Sequence, residues 1–393
     1  MNGEALVDDA VLVGETRAAS PWRRTTGLEG LEGLAHDWNL LAEALRDARF
    51  YHRHPWLGSY LRHLERDAGA VNFFAFRRAG RAIAIFPLRH TVRVVAGIPL
   101  RVWELPVERH MDLCDALVAR SEDSAALLGA LVAELARQPE PWDALHLPNL
   151  LDGSVALRAL QAAPVSFVHL ARTATSMHFH CADLETALRD TTPQFIRNLR
   201  RQRRKLDGLG TVQAALVREP DALEAALEDF LRIEASGWKG TRGCRSAIAL
   251  NPHVEAFYRE VARRFGADRN CAINLLRLDG KTIAAQYALI DGRRMNLLKI
   301  AYDEAYAAEA PGSRLLHDVL AWCCASGEID ELSLVTGPQW AQGRWNPETQ
   351  DVWSAYVFNA SPRGLAACLA LRMKPYVAAA RERVLSPPPE VRA

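Results

Sequence analysis

Pro311-Gly312-Ser313, within the stretch Lys299–Trp322 (KIAYDEAYAAEAPGSRLLHDVLAW), is a combination suited to holding an anion. Pro fixes φ at a helix start, Gly lets another body approach the backbone, and Ser313 offers a capping hydroxyl. The unpaired amides of a first helical turn carry partial positive charge, so such a loop suits a phosphate or pyrophosphate. The same three residues also begin many helices that bind nothing. A second group is cationic: Arg197, Arg200 and Arg201 lie in the run Thr191–Leu206, which reads as a solvated basic face, a contact to an anionic ligand or cofactor, or a nucleic-acid element. A third is Gly237-Trp238-Lys239-Gly240, where a Trp and a Lys bracketed by glycines either line a pocket or plug the edge of a core. Trp340, Arg344 and Trp345 fall in a later loop. No Ser-His-Asp order and no metal-ligand spacing stands out, so neither a covalent enzyme intermediate nor a metal is expected.

The elements that hold these groups follow from periodicity and punctuation. Met295–Ala301 is a short apolar run entered from Asp291-Gly292 and reads as a buried strand. Leu315, Leu316, Val319, Leu320 and Cys323 recur at helical spacing after the Pro-Gly-Ser start. Thr192 and Pro193 open a helix carrying the arginines, and Leu223–Ile233 is an amphipathic helix before the Trp-Lys loop. Leu28–Ala48 and Pro55–Ala68 read as helices, followed by a hairpin of Val71–Arg77 and Arg81–Leu88 around Ala79-Gly80. The order returns as helix Pro252–Phe265 and a hairpin of Ala272–Leu278 and Lys281–Leu289 around Asp279-Gly280. Gly80, Ile83 and Ala84 match Gly280, Ile283 and Ala284 at one offset.

The repeat continues. Helix Leu127–Arg137 leads into Trp142–Leu147, as helix Leu315–Ala325 leads into Ile329–Leu334. Each half therefore reads as an α/β unit, with a mixed sheet flanked by helices. The expected divisions are a poorly ordered leader (1–25), a first unit (26–180), a second unit (181–362) and a helical basic tail (363–393). Ahead of its crossover helix the first unit has Glu122 and Asp123 in place of Pro-Gly, and those charges repel a phosphate. Only the second unit is expected to bind an anionic cofactor.

Composition restrains the reading. The chain has 393 residues, 49% hydrophobic and 24% charged, and a net charge of +1, so no global field draws in DNA or a membrane surface. Seven cysteines without CxxC spacing suit reduced thiols in the cytoplasm. No signal peptide is expected from the acidic first residues, and no run of about 20 apolar residues long enough to cross a membrane occurs.

With these pieces in order, the chain resembles the GNAT-type acetyltransferases of the BioF2-like or CelD-like group, and more distantly the FemABX transferases. The residues carrying this are Arg197–Arg201, Gly237–Gly240, Asp279-Gly280-Lys281 with Ala285-Gln286, Lys299 with Tyr302-Asp303, Ala310-Pro311-Gly312 with Leu315, and Arg344-Trp345. The resemblance implies two tandem GNAT-like units and an acyl-CoA-dependent N- or O-acyltransferase acting on a small-molecule or saccharide-precursor acceptor. Acetyl-CoA or another acyl-CoA would lie against Pro311, Gly312, Ser313, Arg314 and Leu315. Asp303 is the candidate base or amine anchor and Tyr302 the candidate proton donor, each alternatively a turn cap or a packing ring. Lys299 and Gln286 would bind substrate together, with Trp238, Lys239 and Trp345 as walls. The FemABX alternative uses aminoacyl-tRNA, held on the Arg197, Arg200 and Arg201 face; a non-catalytic partner in a biosynthetic complex is the third reading.

Overall fold

Ala79-Gly80 and Asp279-Gly280 close two hairpins with nearly the same backbone, φ 48° and 81° in the first and 47° and 81° in the second. Positive φ at both central residues is the tight turn that matches strand twist. Each hairpin also carries one extra residue at the same place, Ile83 in one and Ile283 in the other. The two bulged carbonyls are used alike: Ile83 O accepts from the Ala119 amide and Ile283 O from the Asp303 amide, both at 2.8 Å.

These hairpins belong to a computed structural model that describes residues 20–385 apart from 46, 242, 338 and 339, with side chains as far as Lys374. Most of the expected leader, residues 1–19, and Pro387-Pro388-Pro389 lie outside the described residues. The first unit runs β1 (Trp22–Thr26), α1 (Gly27–Glu32), α2 (Ala35–Ala44), α3 (His54–His63), β2 (Val71–Arg78), β3 (Arg81–Val95), β4 (Ile98–Glu104), β5 (Leu117–Val118), α4 (Ser124–Leu135), β6 (Ala144–Leu151), α5 (Val155–Ala162) and β7 (Val168–His180). The second runs α6 (Leu184–Ala187), α7 (Pro193–Asp207), β8 (Val212–Val217), α8 (Pro220–Ser236), α9 (Pro252–Gly266), β9 (Cys271–Leu278), β10 (Lys281–Asp291), β11 (Arg294–Tyr302), α10 (Pro311–Ser326), β12 (Glu331–Ser333), β13 (Glu348–Phe358) and α11 (Pro362–Leu385). The single helix read over Leu28–Ala48 is two helices, since Gly30 and Gly33 weaken helix where the chain turns.

The strands form one sheet in the order β1-β2-β3-β4-β6-β13-β7-β12-β11-β10-β9-β8, with β5 paired to β3. The order is symmetric about its middle, and there the units trade strands. β7, from the first unit, pairs with β12 of the second, while β13, from the second, pairs with β6 of the first. The two exchanged strands also pair with each other. A cut at residue 180 therefore divides the chain without separating the two halves of the sheet.

Each side of the sheet is covered for a different purpose. In the second unit α10 and α7 cover one face through Leu199, Leu206, Leu315, Leu316, Val319 and Leu320. The opposite face carries a core shared by both units, in which α1–α3 meet α8 and α9 and Trp56 packs edge-on to Phe257 at 5.1 Å. α11 packs Ala367 and Cys368 against Val102, Ala144 and Phe358. The seven cysteines are free, and five are buried.

Candidate active site

β11 and β12 run parallel for only three pairs, Arg294 with Glu331, Met295 with Leu332 and Asn296 with Ser333. They then part. β12 ends and its chain turns toward β7, with the Leu334 amide donating to Met177 O at 2.8 Å, while β11 continues to Tyr302. Among the described residues β11 has no strand partner on that side from Leu297 onward, so the ladder opens there. A one-residue bulge at Leu298 bends the strand at the same point.

Side chains alternate about this opening. Tyr302 pairs with Ala284, and both face α10; a Cβ placed on Gly312 would lie 3.5 Å from the Tyr302 ring. Ala310 at φ 50° turns the chain into α10 and is its N-cap, so Ser313 does not cap the helix. α7 packs beside residues 304–309 and α10, with Asp207 paired to Arg314 at 3.2 Å and Arg203 lying 4.0 Å from Asp318. Arg197, Arg200 and Arg201 are exposed and make no ion pair with a carboxylate among the described residues.

Lys299 pairs with Tyr287 and faces the other way, toward the core shared by the units. Its ammonium lies 6.0 Å from the Tyr258 ring centroid. The partners there come from the first unit, and they arrive by an insertion. Where β11 is one strand, the first unit breaks between β4 and β5, and the loop from Leu105 to Ala116 leaves the sheet. Leu105 and Cys114 donate amides to His146 O and Asn149 O, filling the gap where β4 and β6 diverge. The loop's outer part carries Glu108, Arg109, His110 and Asp112 toward Lys299. His110 Nδ1 lies 3.2 Å from the Tyr258 hydroxyl.

The electrostatics of this cluster are set by burial. Removal from water pushes the His110 pKa down to about 4, with Lys299 adding to the effect, so the imidazole is neutral at pH 7. Burial raises the Asp112 pKa against the opposing pull of Lys299, and lowers that of Lys299 against the pull of Asp112. On the same side, Glu234 holds Lys239 at 3.3 Å and accepts the Ile248 amide at 2.8 Å. Lys239 also reaches Ile300 O at 3.4 Å. The Trp-Lys loop is tightly wound, and a Cβ at Gly240 would collide with Ala235 O. Trp238 is exposed, and its amide donates to Glu304 Oε1 at 2.8 Å.

Several expected groups lie elsewhere. Gln286 and Lys299 are on opposite faces of the sheet, because Gln286 pairs with Ile300 and Lys299 with Tyr287; Gln286 is buried and accepts from Asn274 at 3.1 Å. They do not converge. Trp345 is 1% exposed and packs against Phe179 and Phe195 in the core, so it walls no cavity. Leu315 is likewise core, and Arg314 is buried in ion pairs with Asp318 at 2.6 Å and Asp207 at 3.2 Å. Asp303 accepts the Ala305 amide and pairs with Lys281 at 2.9 Å. Burial would raise its pKa, but those two partners outweigh it and the net shift is downward, which makes it a weak base. His110, Asp112, Tyr258 and Glu234 escaped sequence reading. The signal for the first two was the length mismatch between repeats, twelve residues in the first unit where the second has an unbroken strand.

Residues 193–346 match the family model for the acetyltransferase (GNAT) domain. No curated protein sequence matches the chain. Among solved structures, FemX superposes with a TM-score of 0.53 at 9% identity, covering 84% of this chain and 96% of that one. The C-terminal DUF2156 domain of an Agrobacterium fabrum protein assigned as a lysylphosphatidylglycerol synthetase gives 0.51 at 10% identity, covering 87% and 96%. The repeated hairpins and these likenesses in fold give the chain a tandem GNAT-like fold, and the residues that match the acetyltransferase (GNAT) domain model lie in its second unit.

Proposed function

We propose that this chain is an acyl-CoA-dependent N- or O-acyltransferase in which the acyl donor and the acceptor approach the β11–β12 opening from opposite faces of the sheet. The observation that supports this is the division of chemistry across the opening. One face has a helix N-terminus and, on the neighbouring helix α7, exposed arginines without carboxylate partners among the described residues, suited to the phosphates of a CoA. The other has a water-poor cluster of Asp112, His110, Tyr258 and Lys299, suited to proton transfer. The acceptor nitrogen or oxygen attacks the thioester carbonyl directly. Asp112, made more basic by burial, takes its proton. Lys299, whose proton burial loosens, stabilises the oxyanion and protonates the departing thiolate as the C–S bond breaks. Trp238 and Lys239 border the acceptor entrance.

A small-molecule or saccharide-precursor acceptor fits an opening bordered by Trp238 and cationic groups, and a cytoplasmic setting fits the use of acyl-CoA. Among the described residues no helix is long and apolar enough to cross a membrane. Thiol release from acetyl-CoA and longer acyl-CoAs, measured over a panel of amines, amino sugars and polyols, tests the proposal. Acceptor-dependent release is expected. Binding of tRNA without acyl-CoA binding would instead select an aminoacyl-tRNA-dependent transferase on the α7 face, and binding of neither would select a non-catalytic partner protein.

A further inference from the structure

We propose that His178, His180 and Glu348 form a binding site for a divalent first-row transition ion, with Zn2+ as the best match to the ligand chemistry. No metal was expected from the sequence, because the ligands sit on strands far apart in the chain. The exchange of strands brings them together. His178 and His180 are two residues apart on β7 and therefore share a face, and Glu348 is the direct cross-strand partner of His178 on β13. Glu348 Oε2 lies 3.2 Å from His180 Nε2 and 3.8 Å from His178 Nε2, and one ligand atom from each residue falls within 4.8 Å of the others.

Two imidazoles and a carboxylate on one side of an ion leave its outward side open to water, the donor set of a three-ligand zinc centre. The surroundings fit. His178 is largely buried, which fixes one ligand, while His180 and Glu348 are about half exposed and leave an entry path. Glu331, the β12 partner of His180, is committed to Arg294 at 2.8 Å and Arg49 at 3.6 Å, so among the described residues three ligands are supplied. A surface His–Glu ion pair requires only two of these groups and contributes little. The bound ion would join a strand of the first unit to a strand of the second, its ligand His178 paired directly with Ser333, where β12 leaves β11.

Calorimetry of the chelator-treated full chain with ZnCl2 tests the site, with MgCl2 as control and thermal melts alongside. One Zn2+ per chain is expected, with a raised melting temperature and no response to Mg2+. His180→Ala and Glu348→Gln, both at exposed positions, should each weaken binding by about tenfold or more and remove the thermal gain, by the scale of effects seen when metal shells are altered. Cys244→Ser, which removes the exposed thiol, should change neither. Absence of saturable Zn2+ binding, binding that survives both substitutions, or binding lost with Cys244 alone would overturn the proposal.

Discussion

Lys299 and Asp112 pull each other toward the charged state while burial pulls both toward the neutral one, and burial prevails at each. Such a carboxyl is a better base than a solvated one and a costlier group to keep in the fold. Asp112→Asn should therefore lower turnover by about 10²–10⁴-fold. It should also remove the acid limb of the rate profile, which lies above the ordinary carboxylate range. The sign for stability is opposite. A carboxyl with its native pKa above its unfolded one binds protons more tightly when folded, so stability declines as pH rises through the unfolded pKa toward the native one. At pH 7 the Asn variant should melt higher than the parent. Asp303→Ala is the contrasting case: with its carboxylate engaged by Lys281 and an amide, it should cost about 1 kcal/mol as a lost cap and leave the rate profile in place. Melting curves beside pH–rate profiles separate the two.

The α10 start is where element and ligand have opposed preferences. An acid in a helix's first turn favours the helix, yet repels an anion placed there. Gly312→Asp should keep or raise the melting temperature, since its new Cβ meets only the Tyr302 ring at an ordinary distance, while weakening acyl-CoA binding by about tenfold or more, a loss of about 1.4 kcal/mol. Unchanged affinity by calorimetry would remove the loop from the site. Replacing Arg200 and Arg201 by Ala should weaken acyl-CoA binding most at low salt and flatten its salt dependence. Much at this scale was legible in the sequence. The hairpins were marked by Ala79-Gly80 and Asp279-Gly280, and α7 by Thr192 and Pro193, because turn and cap chemistry is local. The strand exchange was not legible, since β7 and β13 look alike to a partner edge and only tertiary pairing assigns them. Lys299 stands out in the sequence as a charge within the apolar run Met295–Ala301, but its face and its companions depend on a register that the bulge at Leu298 shifts.

Across the whole molecule, the exchanged strands and the shared core make the two units incomplete without each other. A chain of residues 20–183 would lack the strand that covers β6 and carry β7 with nothing to join, and residues 184–385 would have the converse defect. Each half made alone should aggregate or pair with itself by exchange, while the halves made together should form a folded 1:1 complex. Light scattering and circular dichroism check this, and two well-folded monomeric halves would contradict it.

The same exchange sets a schedule during synthesis. β6 ends at Leu151 and β13 begins at Glu348, so about two hundred residues must be made before the first unit can gain its last neighbour. At about 5–20 residues per second the edge of β6 stays uncovered for about 10–40 s on the ribosome, and longer until the chain end clears the exit tunnel. The unit made first is thus the unit finished last, and during that interval its open edge is exposed to other nascent chains and to the chaperones that shield such edges.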